Sequence, residues 1–302
     1  MADLPAPDSG EPAMRRGTRP RRPDAPPTET ATRAARAASG DKFYTSPAVA
    51  ARCLALFRAH VDVGPDDLVI EPGAGAGAFV PGIAAFARHS RFYDIAPEGP
   101  EIEAQDYLAL DTAPLKAAHA RIHVVGNPPF GRQASLATRF IRKSAGFCDS
   151  IGFVLPRSFK KASMQRAFPP DFWLLCEEEL PADAFTVGGA PHRVPCVFQV
   201  WTRRAAPREP APRLEPRTFA WALADEANID AAVRRVGGRA GEVFWGGAAA
   251  GRCAASHYFL RFTNGLDEAA NRQRLAGAAF ARDNTVGPRS ISKQELIAQF
   301  DV

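Results

Sequence analysis

Several things are missing from this 302-residue sequence, and each absence excludes a class of protein. No apolar run approaches the ~20 residues that a membrane-spanning helix needs, so we expect no membrane partner. The N-terminus has no apolar core of the kind found in a secretory signal. The five cysteines form no CxxC pair, and the six histidines show no ligand spacing. We therefore predict a reduced, intracellular protein without a structural metal site.

Proline and arginine, in contrast, are abundant. Residues 1–40 carry seven prolines and the cluster "MRRGTRPRRP", and they have no helical or strand periodicity. This composition predicts a disordered tail, which is either merely solvated or adds phosphate affinity or a nuclear address. The formal charge of +5 and the pI near 9.1 suit a polyanionic partner, although biased codon usage also enriches arginine.

From Asp41 the pattern alternates between helical spacing and short apolar runs. "SPAVAARCLALFRAHV" has apolar residues at helical spacing, with Ser46 as the expected N-cap and Pro47 in the first turn. Apolar strands are predicted in "DLVIE", "SRFYDI", "EIEAQDYL", "RIHVVG" and "DSIGFVLP", with helices at about 134–145 and 159–168. Such alternation favours an α/β fold with a parallel sheet covered on both faces. "FWLLCEEEL" and "VPCVFQVWTR" predict a final antiparallel pair at the sheet edge.

Composition divides the chain into three parts. A stretch rich in proline and arginine at about 203–217 predicts a linker. Beyond it, "EVFW" and "HYFLRF" are strand candidates and "LDEAANRQRLAGAAFA" is a helix candidate, which indicates a smaller α+β unit. We expect a disordered basic tail at 1–40, an α/β domain at 41–204 and a C-terminal substrate-recognition unit at 205–302.

A glycine-rich loop follows the first predicted strand. In "EPGAGAGAF", Gly73, Gly75 and Gly77 stand between a strand and a helix, where glycine lets the backbone approach a ligand closely. The spacing differs from the dinucleotide fingerprint, and Glu71 before it would repel a pyrophosphate. A carboxylate at this place suits an ammonium group instead.

Carboxylates also end the next two predicted strands. Asp94 is placed to accept from ribose hydroxyls and Asp106 from an adenine amino group. One such residue is commonly a cap or a solvated group, but three at consecutive strand ends favour a nucleoside-containing ligand.

"VVGNPPFG" ends the fourth predicted strand in a stiff turn. The adjacent prolines exclude a helix there. Asn127 offers a side-chain carbonyl, Pro128 offers a backbone carbonyl and Phe130 offers an aromatic face. Two preorganised acceptors suit an amine whose lone pair is conjugated into a ring, because they favour a pyramidal nitrogen.

Together these segments resemble the class I S-adenosylmethionine-dependent methyltransferases, and specifically the amino-methyltransferases that modify adenine N6. The match covers about 41–203 in family order, through "KFYTSPAVAARCL", "VIEPGAGAGAF", "YDIAP", "QDYL", "NPPF" and "FVLPRSF". The resemblance implies a Rossmann-like seven-stranded sheet, mostly parallel with an antiparallel edge strand. Only "APEGP" separates the second and third strands, so we expect the usual helix there to be very short or absent and the adenine pocket to be more open.

The resemblance also implies a cofactor and a set of site residues. The cofactor is S-adenosylmethionine, which leaves as S-adenosylhomocysteine. The implied catalytic residues are Asn127, Pro128, Pro129 and Phe130. The implied cofactor-binding residues are Tyr44, Thr45, Pro47, Glu71, Pro72, Gly73, Ala74, Gly75, Gly77, Asp94, Ile95, Asp106 and Tyr107.

Two segments are candidates for substrate binding. Residues 132–166 contain eight basic residues and one acid, which indicates a phosphate-binding surface that includes Arg132, Arg157, Lys160 and Lys161, or else two ordinary solvated helix faces. "NTVGPRSISKQEL" resembles the closing segment of target-recognition domains in small bacterial and phage DNA methyltransferases. That likeness implies substrate contacts by Ser290, Ser292 and Lys293. The alternative is that Ser292 merely caps the helix "KQELIAQF".

These observations predict methylation of adenine N6 in DNA, with the base flipped out or in a single strand. Structured RNA, a protein glutamine amide and a non-catalytic scaffold role are the alternatives. A dehydrogenase is excluded by the glycine spacing and by "NPPF". We expect nucleic acid as the partner, DNA in preference to RNA, in the cytoplasm or nucleoid of a prokaryote or phage, or in a eukaryotic nucleus.

Overall fold

The computed structural model describes residues 44–187, 190–209, 212–280 and 289–301. The predicted tail at 1–40 and residues 284–288 of the predicted closing segment lie outside these ranges. Asp41–Val302 forms one compact unit. Among the described residues, no helix is both long and apolar enough to cross a membrane.

The first helix forms where its sequence predicts it. Strand β1 (Tyr44–Thr45) precedes helix α1 (Pro47–His60). The side chain of Ser46 accepts a hydrogen bond from the backbone N–H of Val49, which satisfies one of the helix's orphan donors. The apolar face of α1 is buried in the main core.

A seven-stranded sheet carries that core, in the order β4-β3-β2-β5-β6-β10-β7. Its strands are β2 (Leu68–Glu71), β3 (His89–Asp94), β4 (Glu103–Ala104), β5 (Ile122–Gly126), β6 (Ser150–Pro156), β7 (Phe172–Glu179) and β10 (Cys196–Arg203). All pairs are parallel except those of β10, which runs antiparallel between β6 and β7. Strands β2, β5 and β6 are buried along their whole length, as expected of a sheet covered on both faces. The predicted Rossmann-like sheet is therefore confirmed, with the antiparallel strand next to the edge strand.

The connections between strands are short helices and turns. The helices are α2 (Val80–Ala84), α3 (Ala113–Ala118), α4 (Ser135–Ala145) and α5 (Ala162–Gln165), and 3₁₀ turns form at Tyr107–Ala109, Arg132–Ala134 and Arg157–Lys160. The helix predicted at 134–145 is confirmed. The one predicted at 159–168 is wrong, because Lys161 is extended and separates a 3₁₀ turn from a single helical turn. No helix lies between β3 and β4, as the short "APEGP" segment predicts.

Strand β1, at the start of the described residues, belongs to a second, three-stranded sheet. Strands β8 (Phe185–Val187) and β9 (Ala190–His192) form a hairpin between β7 and β10. Strand β8 also pairs antiparallel with β1, with Tyr44 opposite Thr186 and Thr45 opposite Phe185. The sequence did not predict this hairpin, since three-residue strands carry too little periodicity to be recognised.

The C-terminal residues form a separate antiparallel sheet in the order β11-β14-β12-β13. The strands are β11 (Phe219–Ala222), β12 (Ala231–Arg234), β13 (Val243–Trp245) and β14 (His257–Phe262). Helices α6 (Glu268–Leu275) and α7 (Lys293–Phe300) pack on one face and enclose a core of their own. The strands predicted in "EVFW" and "HYFLRF" are confirmed, and the predicted helix is shorter than its pattern. The domain boundaries stay a prediction.

Candidate cofactor and catalytic site

The predicted glycine loop and the Asn-Pro-Pro-Phe turn lie side by side. Strands β2 and β5 are parallel neighbours, so the segments that leave their carboxyl ends meet at one edge of the sheet. A side chain built at Gly73 would lie 3.5 Å from Cδ of Pro129 and 4.0 Å from the backbone oxygen of Asn127. The two sequence motifs therefore form one site.

The glycine loop needs its glycines and is closed by an aromatic ring. Gly75 has a φ of 53° and Gly77 a φ of 84°, both in the left-handed region that favours glycine. The ring of Tyr44 lies 3.7 Å from the position of a Cβ on Gly75. The Tyr44 hydroxyl donates to Oε1 of Glu98 at 2.7 Å, and the N–H of Glu98 donates to the backbone oxygen of Gly75 at 3.2 Å. Tyr44 thus contacts the glycine loop through its ring and, through Glu98, by hydrogen bonds.

Asp94 is oriented by two backbone donors at the end of β3. Its Oδ2 accepts from the N–H of Gly75 at 2.9 Å and its Oδ1 from the N–H of Ala96 at 2.8 Å. Each carboxylate oxygen has a second lone pair, which suits a diol. Ile95 beside it is 40% exposed. Ala74 ties the loop to the same strand, because its N–H donates to the backbone oxygen of Tyr93 at 2.9 Å.

Glu71 is a buried carboxyl without a hydrogen-bond partner for one oxygen. The residue is 1% exposed, and no described group lies within hydrogen-bond reach of its Oε2. Burial, and then the nearby charge of Asp94, raises the pKa of Glu71 to about 8. A side chain at Gly126 would lie only 3.0 Å from Cγ of Glu71, so the carboxyl is packed against the end of β5. A buried orphan acceptor is costly, and a cationic ligand would satisfy it.

Asn127 is fixed through its amide nitrogen. Its Nδ2 donates to Oγ1 of Thr45 at 3.0 Å, and Thr45 is buried. The carbonyl oxygen Oδ1 is then the end of the amide that can accept from a substrate amine. Pro128 is buried and Pro129 half-buried, so the turn is anchored in the fold.

Phe130 differs from its predicted role. Its side chain is only 5% exposed, so the ring does not present a face on which a base could stack. Its backbone oxygen accepts from the N–H groups of Leu136 at 3.0 Å and Ala137 at 3.2 Å. Phe130 therefore anchors the start of α4, and the stacking role is corrected.

Three left-handed residues follow the turn. Gly131 has a φ of 68°, Gln133 of 53° and Ala134 of 59°. Such values are rare for residues other than glycine and cost on the order of 1–3 kcal/mol each. The sequence holds no signal for this strain, which lies directly beside the candidate catalytic turn.

Other predicted cofactor contacts take different places in the structure. Tyr107 is 2% exposed, its hydroxyl lies 2.7 Å from Oγ of Ser144 and its ring stacks on Phe140. Tyr107 is thus a core residue, which corrects its predicted contact with the cofactor. Asp106 is exposed and accepts from the N–H of Leu108 at 2.9 Å, which caps a 3₁₀ turn. Pro72 is buried, and Pro47 is exposed in the first turn of α1.

Most of the predicted phosphate contacts are paired with glutamates. Ion pairs join Arg157 to Glu179 at 2.9 Å, Lys160 to Glu179 at 2.8 Å and Lys161 to Glu295 at 3.0 Å. These glutamates come from β7 and α7, so a count of acids within 132–166 could not include them. These three cations are therefore paired within the fold, and their contact with phosphates stays a prediction.

The basic residues of the preceding segment differ. Arg132, Arg139 and Arg142 are exposed and form no ion pair with the described part of the chain. The last two lie three residues apart on the outer face of α4.

The predicted closing segment has structural partners. Ser292 and Glu295 form a reciprocal capping box at the start of α7, with distances of 3.2 and 2.8 Å. The ammonium of Lys293 lies 4.4 Å from the ring centroid of Trp221. The backbone oxygen of Ser290 accepts from Nζ of Lys161 at 3.0 Å. These contacts give Ser290, Ser292 and Lys293 structural roles, and their substrate-binding roles stay a prediction.

A second polar cluster lies away from the site. His123 is hydrogen-bonded to Oγ of Ser150 at 2.7 Å and to Oδ2 of Asp67 at 3.2 Å. All three are buried at the amino ends of their strands, and burial lowers the pKa of His123. The cluster joins strands and has no access to a substrate. Among the described residues, no group of three or more acidic, histidine or cysteine side chains is placed to hold a metal ion.

The comparisons with known proteins give likeness of fold only. No family model and no curated protein matches the sequence. A proposed RNA methyltransferase from Pyrococcus horikoshii is 17% identical with a TM-score of 0.40, over 55% of this chain and 88% of that one. The methyltransferase subunit of a type I restriction-modification system from Streptococcus thermophilus is 13% identical with a TM-score of 0.41, over 55% of this chain and 47% of that one. A dimethyladenosine transferase from Plasmodium falciparum is 12% identical with a TM-score of 0.37, over 53% of this chain and 62% of that one. Values this low support no conclusion about function.

The sheet itself defines the class. Seven strands in this order, with one antiparallel strand inserted next to the edge and a glycine loop after the first strand, form the Rossmann-like fold of class I methyltransferases. S-adenosylmethionine is the cofactor of that class. The described site fits this cofactor. The Oε2 atom of Glu71 has no hydrogen-bond partner among the described residues and could accept from an ammonium group, and Asp94 is oriented to accept from a diol.

Proposed function

We propose that this protein transfers a methyl group from S-adenosylmethionine to the N6 amine of adenine in a nucleic acid, with DNA favoured over RNA. The observation that carries the proposal is the Asn127 amide, which is fixed by Thr45 beside the glycine loop. An acceptor held at that place serves a conjugated amine, which is otherwise a poor nucleophile.

Three residues would hold the cofactor, which supplies an electrophilic methyl group when bound. Glu71 would accept from the ammonium of the methionine part, since its Oε2 has no partner among the described residues. Asp94 would accept from the ribose hydroxyls, and Tyr44 would cover the glycine loop. The charge of Asp94, and that of Glu71 once it has released its proton on binding, would suit a ligand that carries positive charge.

The part of the reaction that the protein's own residues perform is then to accept two hydrogen bonds from the target amine. Oδ1 of Asn127 and the backbone oxygen of Pro128 would take hydrogen bonds from the target amine and localise its lone pair on nitrogen. Both acceptors are anchored before substrate binds, so little reorganisation is needed. A general base with a tuned pKa is not required, because the methylated, protonated nitrogen is acidic enough to lose its proton to water.

The exposed arginines of α4 support nucleic acid as the substrate. Arg139 and Arg142 carry charges that no described carboxylate neutralises, on a helix that begins directly after the catalytic turn. The burial of Phe130 favours one alternative, because a site without a stacking face also suits a protein glutamine amide.

The test is a comparison of acceptors. The protein is incubated with methyl-labelled S-adenosylmethionine and, separately, with duplex DNA, single-stranded DNA, RNA and mixed protein, and nucleosides are then analysed by mass spectrometry. We expect the label in DNA, in N6-methyl-2′-deoxyadenosine, and we expect no labelled nucleoside with the Asn127→Ala variant. Label in RNA would support the alternative substrate, while label confined to protein, or on another atom of the base, would refute the proposal.

A further inference from the structure

We infer that Thr45 is a positioning residue: its hydroxyl accepts from the Asn127 amide and thereby turns the carbonyl oxygen of that amide toward the substrate. The inference rests on the proposed function and adds a determinant to the same site. It assigns Thr45 a role toward the acceptor, whereas the sequence resemblance implies a contact with the cofactor.

The contact is direct and partly buried. Nδ2 of Asn127 lies 3.0 Å from Oγ1 of Thr45, and Thr45 is 7% exposed. A partly buried hydrogen bond competes less with bulk water than an exposed one and holds its geometry better.

The orientation of an amide decides what it offers. Asparagine presents an acceptor at one end and two donors at the other, and the two ends are nearly the same in shape. An amine also presents N–H donors, so a reversed amide would meet it with donors against donors. In the orientation found here, the Thr45 hydroxyl accepts from the nitrogen end, so the amide meets the amine with its acceptor end.

Thr45 is itself held in place by distant parts of the chain. It pairs with Phe185 of β8, which is fully buried, and the N–H of Ser46 donates to the backbone oxygen of Ala184 at 2.9 Å. Helix α1 begins at Pro47, directly after Ser46. A hydroxyl between a paired strand and a capped helix has little freedom to move away from Asn127.

The test compares Thr45→Val, which keeps the shape and removes the hydroxyl, with Thr45→Ser, which keeps the hydroxyl. Thr202→Val is the matched control, because Thr202 also has a part-buried hydroxyl, bonded to the backbone oxygen of Asp149 at the opposite edge of the sheet. For each full-length protein, kcat and KM for methylation, the Kd for S-adenosylhomocysteine and the side-chain amide NMR signals of Asn127 are measured.

We expect Thr45→Val to lower kcat about tenfold, and Thr45→Ser and Thr202→Val to leave kcat near wild type. The Kd for S-adenosylhomocysteine should stay within about twofold in all three, since the bond is to the acceptor and not to the cofactor. The Asn127 amide signals should shift in Thr45→Val and return in Thr45→Ser.

Unchanged kcat in a folded Thr45→Val protein would overturn the inference, and so would a weakened Kd with normal turnover. If the wild-type protein methylates no nucleic acid, the proposed function fails instead. The amide signals still test the bond in that case, because they require no substrate, and their insensitivity to Thr45→Val would overturn the inference independently.

Discussion

At the scale of single residues, Asn127 is the group whose removal should affect turnover most. We expect Asn127→Ala to lower kcat by about 100- to 1000-fold, because one preorganised acceptor is lost from the transition state. Titration calorimetry with S-adenosylhomocysteine should give an affinity close to wild type, since the proposed role of the amide is toward the target amine and not toward the cofactor. Wild-type turnover in the variant would refute the catalytic assignment.

Glu71 predicts a pH dependence of cofactor binding. Its pKa of about 8 in the free protein means that it is largely protonated at neutral pH, whereas a bound ammonium favours the ionised form. Binding therefore releases a proton, and the affinity for S-adenosylhomocysteine should rise by up to about tenfold per unit as pH increases toward 8. It should level off above about 8, where Glu71 is already ionised, and fall only once the ligand's own α-amino group loses its proton.

The matched variant is Glu71→Gln, which cannot ionise. It should bind more weakly and lose the rising limb of the pH profile. The ligand-free wild-type protein should also lose stability as pH rises from 4.5, the ordinary pKa, to about 8, because the folded state holds the proton more tightly than the unfolded chain. A flat binding profile for the wild type would show that Glu71 does not face the ammonium.

At the scale of the element, helix α4 should provide phosphate contacts. Replacing Arg139 and Arg142 by Gln should weaken binding to duplex DNA and reduce the salt slope of log K by ~1.8, which corresponds to two phosphates at ~0.9 each. The control is the pair Arg157→Gln and Lys160→Gln, whose charges are already bound by Glu179. An equal slope for wild type and the α4 double variant would exclude this helix from the interface.

The elements also show which parts of the site a sequence can reveal. Ser46, the glycines of the loop and the two prolines act through local backbone chemistry, so their effects could be predicted from their neighbours in the chain. Glu179 and Glu295 neutralise cations through tertiary contacts, which no local charge count includes. The hairpin β8–β9, the burial of Phe130 and the placement of Tyr107 likewise depend on packing partners elsewhere in the sequence.

At the scale of the whole molecule, we predict that the α/β part extends a few residues beyond the boundary at 204 that the linker composition predicts. Arg208 donates to the backbone oxygens of Phe168 and Phe172 at 2.9 Å, and Trp173 donates to that of Ala206 at 2.8 Å. We expect a 1–209 fragment to bind S-adenosylhomocysteine. A 1–204 fragment should be less stable by about 2–4 kcal/mol, because it loses the charge-assisted bonds of Arg208 to three backbone carbonyls.

Thermal unfolding of the two fragments measures this difference, which corresponds to a shift of about 4–16 °C for a domain of this size. Arg208→Ala in the 1–209 fragment should reproduce most of the loss. Equal melting temperatures for the two fragments would place the boundary before residue 205. We also expect the 1–209 fragment to have lost affinity or sequence preference for DNA, which filter binding against the full chain would measure.

The antiparallel strand β10 determines when the central sheet can be completed during synthesis of the chain. Strand β6 pairs with β10 along its length, yet the two are separated in sequence by β7 and the hairpin. While the ribosome is still making that stretch, β6 presents an unpaired edge, which is a template for association with other chains. Thr45 cannot pair until Phe185 of β8 has been synthesised, and Phe185 lies 140 residues further along the chain, from 45 to 185. At ~5–20 residues per second that is a delay on the order of ten seconds. The nascent chain should therefore need chaperone protection until about residue 203 has emerged, and the Asn127 amide should acquire its partner only near the end of that interval.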